Sequence, residues 1–469
     1  MANTIALAGS NLWRIATSFL LQLLIARQLG LEMLGAYTIA MAYLNVCQVV
    51  GELGLPGLLV RDLSQRPEHR LAYFRIALSL QLVASLVIWG VLALLAWLLP
   101  LTPTTQMALW IVGASLPFAA LTSVTQTLFQ ADERMELILG VEAVINTLIL
   151  VASVIALWFG ASLFILVGLL IATQALSALI GLLLVRQTGL LAAPQETVPL
   201  DLARLTRRAS PFLGFSIADV LLQRIDILLL SVVAGETVAG IYSAAYQLVR
   251  VLLKLVQSFW RALYPTLSRL YQEVQPRYVR LATLGLHGAL LLLLPCAVLL
   301  SLLAQPALQL VFGSDSLPAT PVLQILVWSA PLLLIETFAA TVLMVEQNPV
   351  QSLLVSSIHF VGIVLLLPGL TTTWGAVGTA WAVVLSGLLS AGAGLWLLRK
   401  VAMPLKVGRV VLLFFLAMLL TLAGVQLAWP AFVTFPLAVV LYWLVVWRTA
   451  LFGVHEWRLV RSVWANPQA

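Results

Sequence analysis

Long apolar stretches recur along the chain, each close to the roughly 20 residues that a helix needs to cross the hydrocarbon of a bilayer, with short joints between them. Fourteen can be marked, at 5–26, 35–58, 76–99, 107–129, 137–159, 163–185, 211–233, 238–260, 281–303, 319–343, 351–368, 375–398, 408–428 and 431–447. Apolar residues run through them without the in/out alternation of membrane strands, so each stretch predicts a helix and a barrel is excluded. Proline or glycine punctuates most of the joints. The expected fold is an all-α polytopic membrane protein of about 14 transmembrane helices.

Composition agrees: 62% of the 469 residues are hydrophobic and 9% charged, where a water-soluble globule has about a quarter charged. Cys47 and Cys296 lie far apart in apolar runs, which points to buried thiols and away from a disulfide framework or a thiolate metal site. The first stretch lacks a basic start and a small-residue cleavage pattern, so it reads as a retained span. Charge placement sets orientation. Of the 25 basic residues, twenty lie in or beside joints that follow even-numbered stretches, from Arg61 and Arg66 to Arg458 and Arg461. The opposite joints hold only Arg27. The positive-inside rule then puts both termini in the cytoplasm. The net charge of +7 reflects that partition and contact with lipid headgroups, and no nucleic-acid partner is expected.

The longest polar joint, residues 187–210, falls midway between two sets of six stretches. An ungapped offset of 205 residues lays "GLEMLGAYTIA" (30–40) against "GETVAGIYSAA" (235–245), matching Gly30 to Gly235, Gly35 to Gly240, Tyr37 to Tyr242 and Ala40 to Ala245. An even number of spans per repeat gives both halves the same orientation, a parallel repeat about an axis along the membrane normal. The expected organisation is a six-helix lobe at 1–186, a linker at 187–210, a second six-helix lobe at 211–400, and two extra helices with a tail at 401–469.

Four cations remain inside spans: Arg14, Arg224, Arg250 and Lys254. At about 100° per residue, Asp219, Gln223 and Asp226 share one face of the seventh span while Arg224 points away from both acids. Arg250, Lys254, Gln257 and Arg261 form a ladder down one face of the eighth. Each central cation costs about 2.5–3.5 kcal/mol at mid-membrane on insertion scales, so the ladder should face protein or a wet cavity. Depth counted from the turn near 235–238 allows Asp226 to pair with Arg250 and Asp219 with Lys254. Two acids against Arg224, Arg250 and Lys254 still leave a cation over, and Arg14 adds another. Surplus positive charge suits an anionic ligand, and guanidinium groups suit phosphate oxygens through bidentate hydrogen bonds.

The second span offers a milder face. Asn45, Gln48 and Glu52 lie on one helix side and align with the ladder through the offset, a polar lining of the kind a sugar chain needs. Glu142, Glu336, His287 and His359 read as isolated polar groups within spans. Each can be a cation or proton site, and each can equally be a structural hydrogen bond between helices. Pro117, Pro295 and Pro331 should kink or locally open their helices. The small-residue run "SGLLSAGAG" (386–394) should allow close helix packing.

Two segments resemble a known family. "LLIARQLGLEMLGAYTIAMAYLNVCQVVGELGLPGLLVRDLSQ" is similar to the first helical hairpin of polysaccharide-transporter flippases, and "RIDILLLSVVAGETVAGIYSAAYQLVRVLLKL" to their seventh and eighth spans. These belong to the multidrug/oligosaccharidyl-lipid/polysaccharide (MOP) superfamily. The resemblance implies two six-helix lobes around a cleft, alternating access, and movement of a lipid-linked, polyprenyl-pyrophosphate oligosaccharide to the outer leaflet of the bacterial inner membrane. It further implies that Arg14, Arg224, Arg250 and Lys254 hold the pyrophosphate, with polysaccharide polymerase and glycosyltransferases as partners. Fourteen spans fit the flippases better than the twelve usual in the drug-exporting branch. No cofactor is expected beyond Na+ or H+ coupling at Asp219, Asp226, Glu142 or Glu336. The alternative is a cation-coupled exporter of small organic molecules, in which acids rather than cations would dominate the cleft. A membrane enzyme would need a sizeable catalytic part outside the bilayer, and the joints carry no paired-aspartate, histidine-cluster or glycine-rich phosphate signature.

Overall fold

The computed structural model describes residues 2–66, 69–191 and 202–399, together with Thr421 and Val440. The expected stretches at 408–428 and 431–447, the appended segment 401–469 that holds them, and residues 192–201 of the central linker lie outside the described residues. So do Lys400 and the basic residues beyond it.

Each of the first twelve apolar stretches is helical, because a backbone in hydrocarbon must satisfy its hydrogen bonds internally. The first two form α1 (Ala2–Gly51), broken at Gly30, whose φ of 89° and ψ of 173° only glycine enters cheaply. The second stretch ends earlier than expected. Leu53 and Gly54 both take positive φ, and Pro56 then opens α2 (Leu55–Gln65) in a new direction. Leu55, Leu58, Leu59 and Leu63 bury one face of α2, each contributing roughly 1.5–3 kcal/mol relative to exposure, while Arg61, Ser64 and Gln65 face outward. α2 is therefore an amphipathic helix at the arginine-rich end of the bundle rather than a continuation of the span.

α3 (Arg70–Leu98) follows, and the fourth span is split into α4 (Pro103–Gly113) and α5 (Leu116–Ala131), bent by 42° just before Pro117. α6 (Met135–Trp158) and α7 (Leu163–Gln187) complete the first six. At the arginine-poor ends of α3 and α6, Trp97, Trp158 and Phe159 are exposed, as aromatic side chains at a membrane interface are. At the opposite end Asp62 accepts from Arg208 (2.8 Å) and Arg61 (3.2 Å), and Asp132 from Arg70 and Arg134. Arg61, Arg134 and Arg208 are exposed and their pairs add little stability, whereas Arg70 and Asp132 are mostly buried against one another.

α8 (Leu202–Val233) and α9 (Gly235–Glu273) both run past their apolar stretches at the arginine-rich end; α9, with 39 residues, is about 58 Å long, well beyond the hydrocarbon. α10 (Gln275–Leu302) stays continuous through Pro295, so the kink expected there is not a break. α11 (Ala304–Phe312) and a 3₁₀ turn (Ser314–Ala319) lead to the tenth span. That span is interrupted between α12 (Thr320–Leu326) and α13 (Ser329–Val345), which carries Pro331 in its first turn. α14 (Pro349–Leu398) contains the last two described spans, broken at Gly375 with φ 57°. Small residues pack it closely: Gly394 lies against Ala339 and Gly362 against Ser386, and Ser390 donates to the Val355 carbonyl at 2.9 Å.

The chain divides into two compact units, Met1–Ser243 and Ala244–Ala469, with the boundary inside α9. The first holds a reciprocal backbone contact. A carbon added at Gly35 would overlap the Glu236 carbonyl oxygen, and one added at Gly240 would overlap the Leu31 carbonyl oxygen. Residues 31 and 236 are related by the 205-residue offset, as are 35 and 240, so equivalent positions touch one another as across a twofold axis. Gly35→Ala and Gly240→Ala should each destabilise the protein by at least about 1–3 kcal/mol through overpacking. Because they share one contact, the double variant should lose less than the sum of the two. Thermal unfolding in detergent reads this, and full additivity would mean that the two glycines act separately.

Candidate functional site

The charged face of α8 has the geometry its spacing implies. Gln223 Nε2 donates to Asp219 Oδ2 at 2.8 Å, and Asp226 follows on the same side. Asp219 and Gln223 are exposed, whereas Asp226 is buried. The Asp226 carboxylate is met by neutral donors: the Tyr242 hydroxyl at 2.7 Å on Oδ2 and the Ile227 amide at 2.8 Å on Oδ1. Arg224 is half-buried and acts on Asp226 electrostatically, although it leaves from another side of the helix. Tyr43 of α1 bonds Ser231 of α8 at 3.1 Å. Arg14 is exposed on α1, and Asn45 and Gln48 are half-buried further along it.

Glu52 departs from expectation. Predicted on one continuous helix side with Asn45 and Gln48, it lies beyond the end of α1, in the turn before α2. Its carbonyl accepts from Gln81 Nε2 of α3 at 3.2 Å. Glycine at 51 and 54 with proline at 56 was the local signal for that break.

In the second unit Arg250, Lys254 and Gln257 are half-buried along α9 and Arg261 is exposed. Lys254 Nζ donates to Gln257 Oε1 at 3.1 Å, so the two share a face as the spacing predicts. Trp260 is buried against Phe338 of α13, ring centroids 5.2 Å apart. Glu336 and His359 are not isolated groups: buried Glu336 on α13 places Oε2 2.6 Å from His359 Nδ1 on α14. They are 23 residues apart, and no spacing rule joins them. His287 is buried on α10, and Glu142 is half-buried on α6, where its carbonyl accepts from Asn146. Beyond the end of α13, Glu346 accepts from the Tyr278 hydroxyl at 3.2 Å; burial raises the Glu346 carboxyl above its ordinary value while that bond lowers it.

One buried acid carries no signal in the sequence. Glu236, in the first turn of α9, is buried and accepts from the hydroxyls of Thr102 and Thr105 and from the Thr105 amide. "GETVAG" reads locally as an ordinary acidic helix start, and only the fold brings α4 to it. Among the described residues, no cluster of three or more metal-ligating side chains occurs.

Helices broken and paired in this way are shared with solved membrane transporters. The lipid II flippase MurJ in an inward closed conformation superposes with a TM-score of 0.68 at 12% identity, covering 96% of this chain and 99% of its own. An inward-facing multidrug resistance MATE family transporter of the MOP superfamily gives 0.63 at 14% identity, covering 82% and 94%. The MATE multidrug transporter DinF-BH gives 0.57 at 18% identity, covering 85% and 95%. Residues 24–321 match the family described as polysaccharide biosynthesis protein, and the chain belongs to that family. No curated protein matches the chain.

Tyr242→Phe removes the hydroxyl that donates to the buried Asp226 carboxylate, and Asp226→Ala removes the carboxylate at the other end of that 2.7 Å bond. Each should cost about 1–3 kcal/mol, and Asp226→Asn, which keeps size and an acceptor, less than Asp226→Ala. Melting temperatures of the purified variants read the difference; unchanged melting of both Tyr242→Phe and Asp226→Ala would show that the bond carries no stability.

Proposed function

We propose that the protein is a flippase that moves a lipid-linked, polyprenyl-pyrophosphate oligosaccharide from the cytoplasmic to the outer leaflet of the bacterial inner membrane. The observation that carries this reading is the set of half-buried cations, Arg224, Arg250 and Lys254, on helices of a multi-pass membrane protein. The acids of α8 accept from neutral donors, Asp219 from Gln223, and Asp226 from Tyr242 and the Ile227 amide. A guanidinium fork offers a pyrophosphate two parallel charge-assisted bonds, and water-excluding surroundings strengthen them. Arg14 would extend that set, and Asn45, Gln48, Gln223 and Gln257 would hydrogen-bond the sugars.

Family membership supports a role in polysaccharide synthesis. Length supports the flippase over the exporter: MurJ spans 96% of this chain, whereas the MATE transporter spans 82% of it with 94% of its own residues. In this reading two lobes, 1–186 and 211–400, alternate access to the cargo, with both termini cytoplasmic. The interruptions before Pro117 and Pro331 supply places for helices to bend. A polymerase and glycosyltransferases would consume and supply the cargo.

A cation-coupled exporter of the MATE type is the second reading, favoured by the buried Glu336–His359 pair, which can hold or release a proton. The same pair can couple flipping to H+, and Asp219 or Asp226 can serve Na+.

Purified protein in vesicles should flip a fluorescent polyprenyl-pyrophosphate sugar and be slower with the monophosphate analogue. Arg224→Ala and Arg250→Ala should each reduce flipping at least about tenfold with unchanged yield and insertion, the loss expected for one charge-assisted contact. Full activity in both variants, or normal rescue of a flippase-deficient strain by both, would remove the basis for this reading.

A further inference from the structure

Glu236 is a buried acid that the transport reading does not use. Its surroundings are lopsided. Oε1 accepts from the Thr102 hydroxyl, the Thr105 hydroxyl and the Thr105 amide, the last at 3.2 Å. Oε2 is buried and, among the described residues, has no hydrogen-bond partner. Thr102 is the N-cap of α4, its hydroxyl also accepting from the Thr105 amide at 3.4 Å. The carboxylate thus shares the Thr105 amide with the N-cap hydroxyl from another helix, and the positive ends of α4 and of its own helix α9 converge on it. One turn further along α9 lies Gly240, packed backbone to backbone against the bend of α1.

These two contacts sit together at the arginine-poor ends of α1, α4 and α9, and both suit separation. Backbone surfaces of glycine part without unthreading interlocked side chains. A carboxylate with one satisfied and one orphaned oxygen is held, yet water entering on opening would hydrate the orphan. The interaction is thus strong enough to close the end and not so complete as to lock it.

We propose that Glu236, clamped by Thr102 and Thr105, is the latch that keeps this end of the protein shut, and that release of cargo there requires the latch to open. The role of the latch in transport rests on the flippase reading; its role in closure does not. It is a positioning residue that acts on access, with no contact to cargo required.

The test uses the full-length chain with Cys47 and Cys296 replaced by alanine and Ser243→Cys as reporter. Ser243 is buried and stands two turns beyond Glu236 on the same face of α9. An impermeant thiol reagent is applied from either side of vesicles with known protein orientation. Glu236→Ala and Thr105→Val should each raise labelling from the arginine-poor side on the order of tenfold, without raising it from the other side. A disulfide between Thr102→Cys and Glu236→Cys should instead suppress labelling below the parent and release it on reduction. Labelling at the parent rate in both loosened variants, equal increases from both sides, or an unaffected reporter under the disulfide would each overturn the latch. Labelling needs no cargo, so the two ideas fail separately. A responsive reporter in a protein that flips no lipid-linked sugar sinks the flippase reading alone, and active flipping with an unresponsive reporter sinks the latch alone.

Discussion

Removing an ionised side chain from water into hydrocarbon costs more than most single packing interactions return, and this cost orders the molecule. It confines most arginines to one end, where Asp62 and Asp132 gather those that approach the bundle. It also makes α8 conspicuous. Among the described residues, eight helices are long and apolar enough to cross a membrane, with the bent α4–α5 pair as a ninth, and α8 is long enough but too charged to be counted with them. A helix of that kind is stable in a membrane only when protein or water receives its polar side chains.

The same cost explains how the structure treats acids differently. Asp226 is held by a tyrosine hydroxyl and a backbone amide, a fixed arrangement built from its own hairpin. Glu336 meets a histidine on another helix, its Oε2 2.6 Å from His359 Nδ1. Glu236 meets two threonine hydroxyls and the amide end of a helix. Three carboxylates thus have three kinds of partner: a tyrosine with a backbone amide, a histidine, and a pair of threonines.

Hydropathy and glycine spacing made the twelve described spans legible, together with the pairing of Gly35 and Gly240 as equivalents, because these depend on local composition and on a long repeat. Helical spacing placed Asp219 beside Gln223 and Lys254 beside Gln257 for the same reason. Long-range partners were not legible. The Glu336–His359 and Glu236–Thr105 contacts join residues 23 and 131 positions apart, and no periodicity encodes them. Helix ends were legible only in part. Polar turns carry α8 and α9 past the apolar stretches, since a helix in water or at the headgroups needs no hydrophobic residues to continue. Glu52 was misplaced because three turn-forming residues within six positions were read through as span.

The glycine contact has a consequence for descent. Where positions n and n+205 rest on each other's neighbours, the surface is its own complement, as in a pair of identical subunits. A half-length ancestor presenting that patch could dimerise through it with no further change, and fusion of two gene copies would preserve the seam. Neither side of that seam has room for bulk, since a side chain grown on one would push the other away.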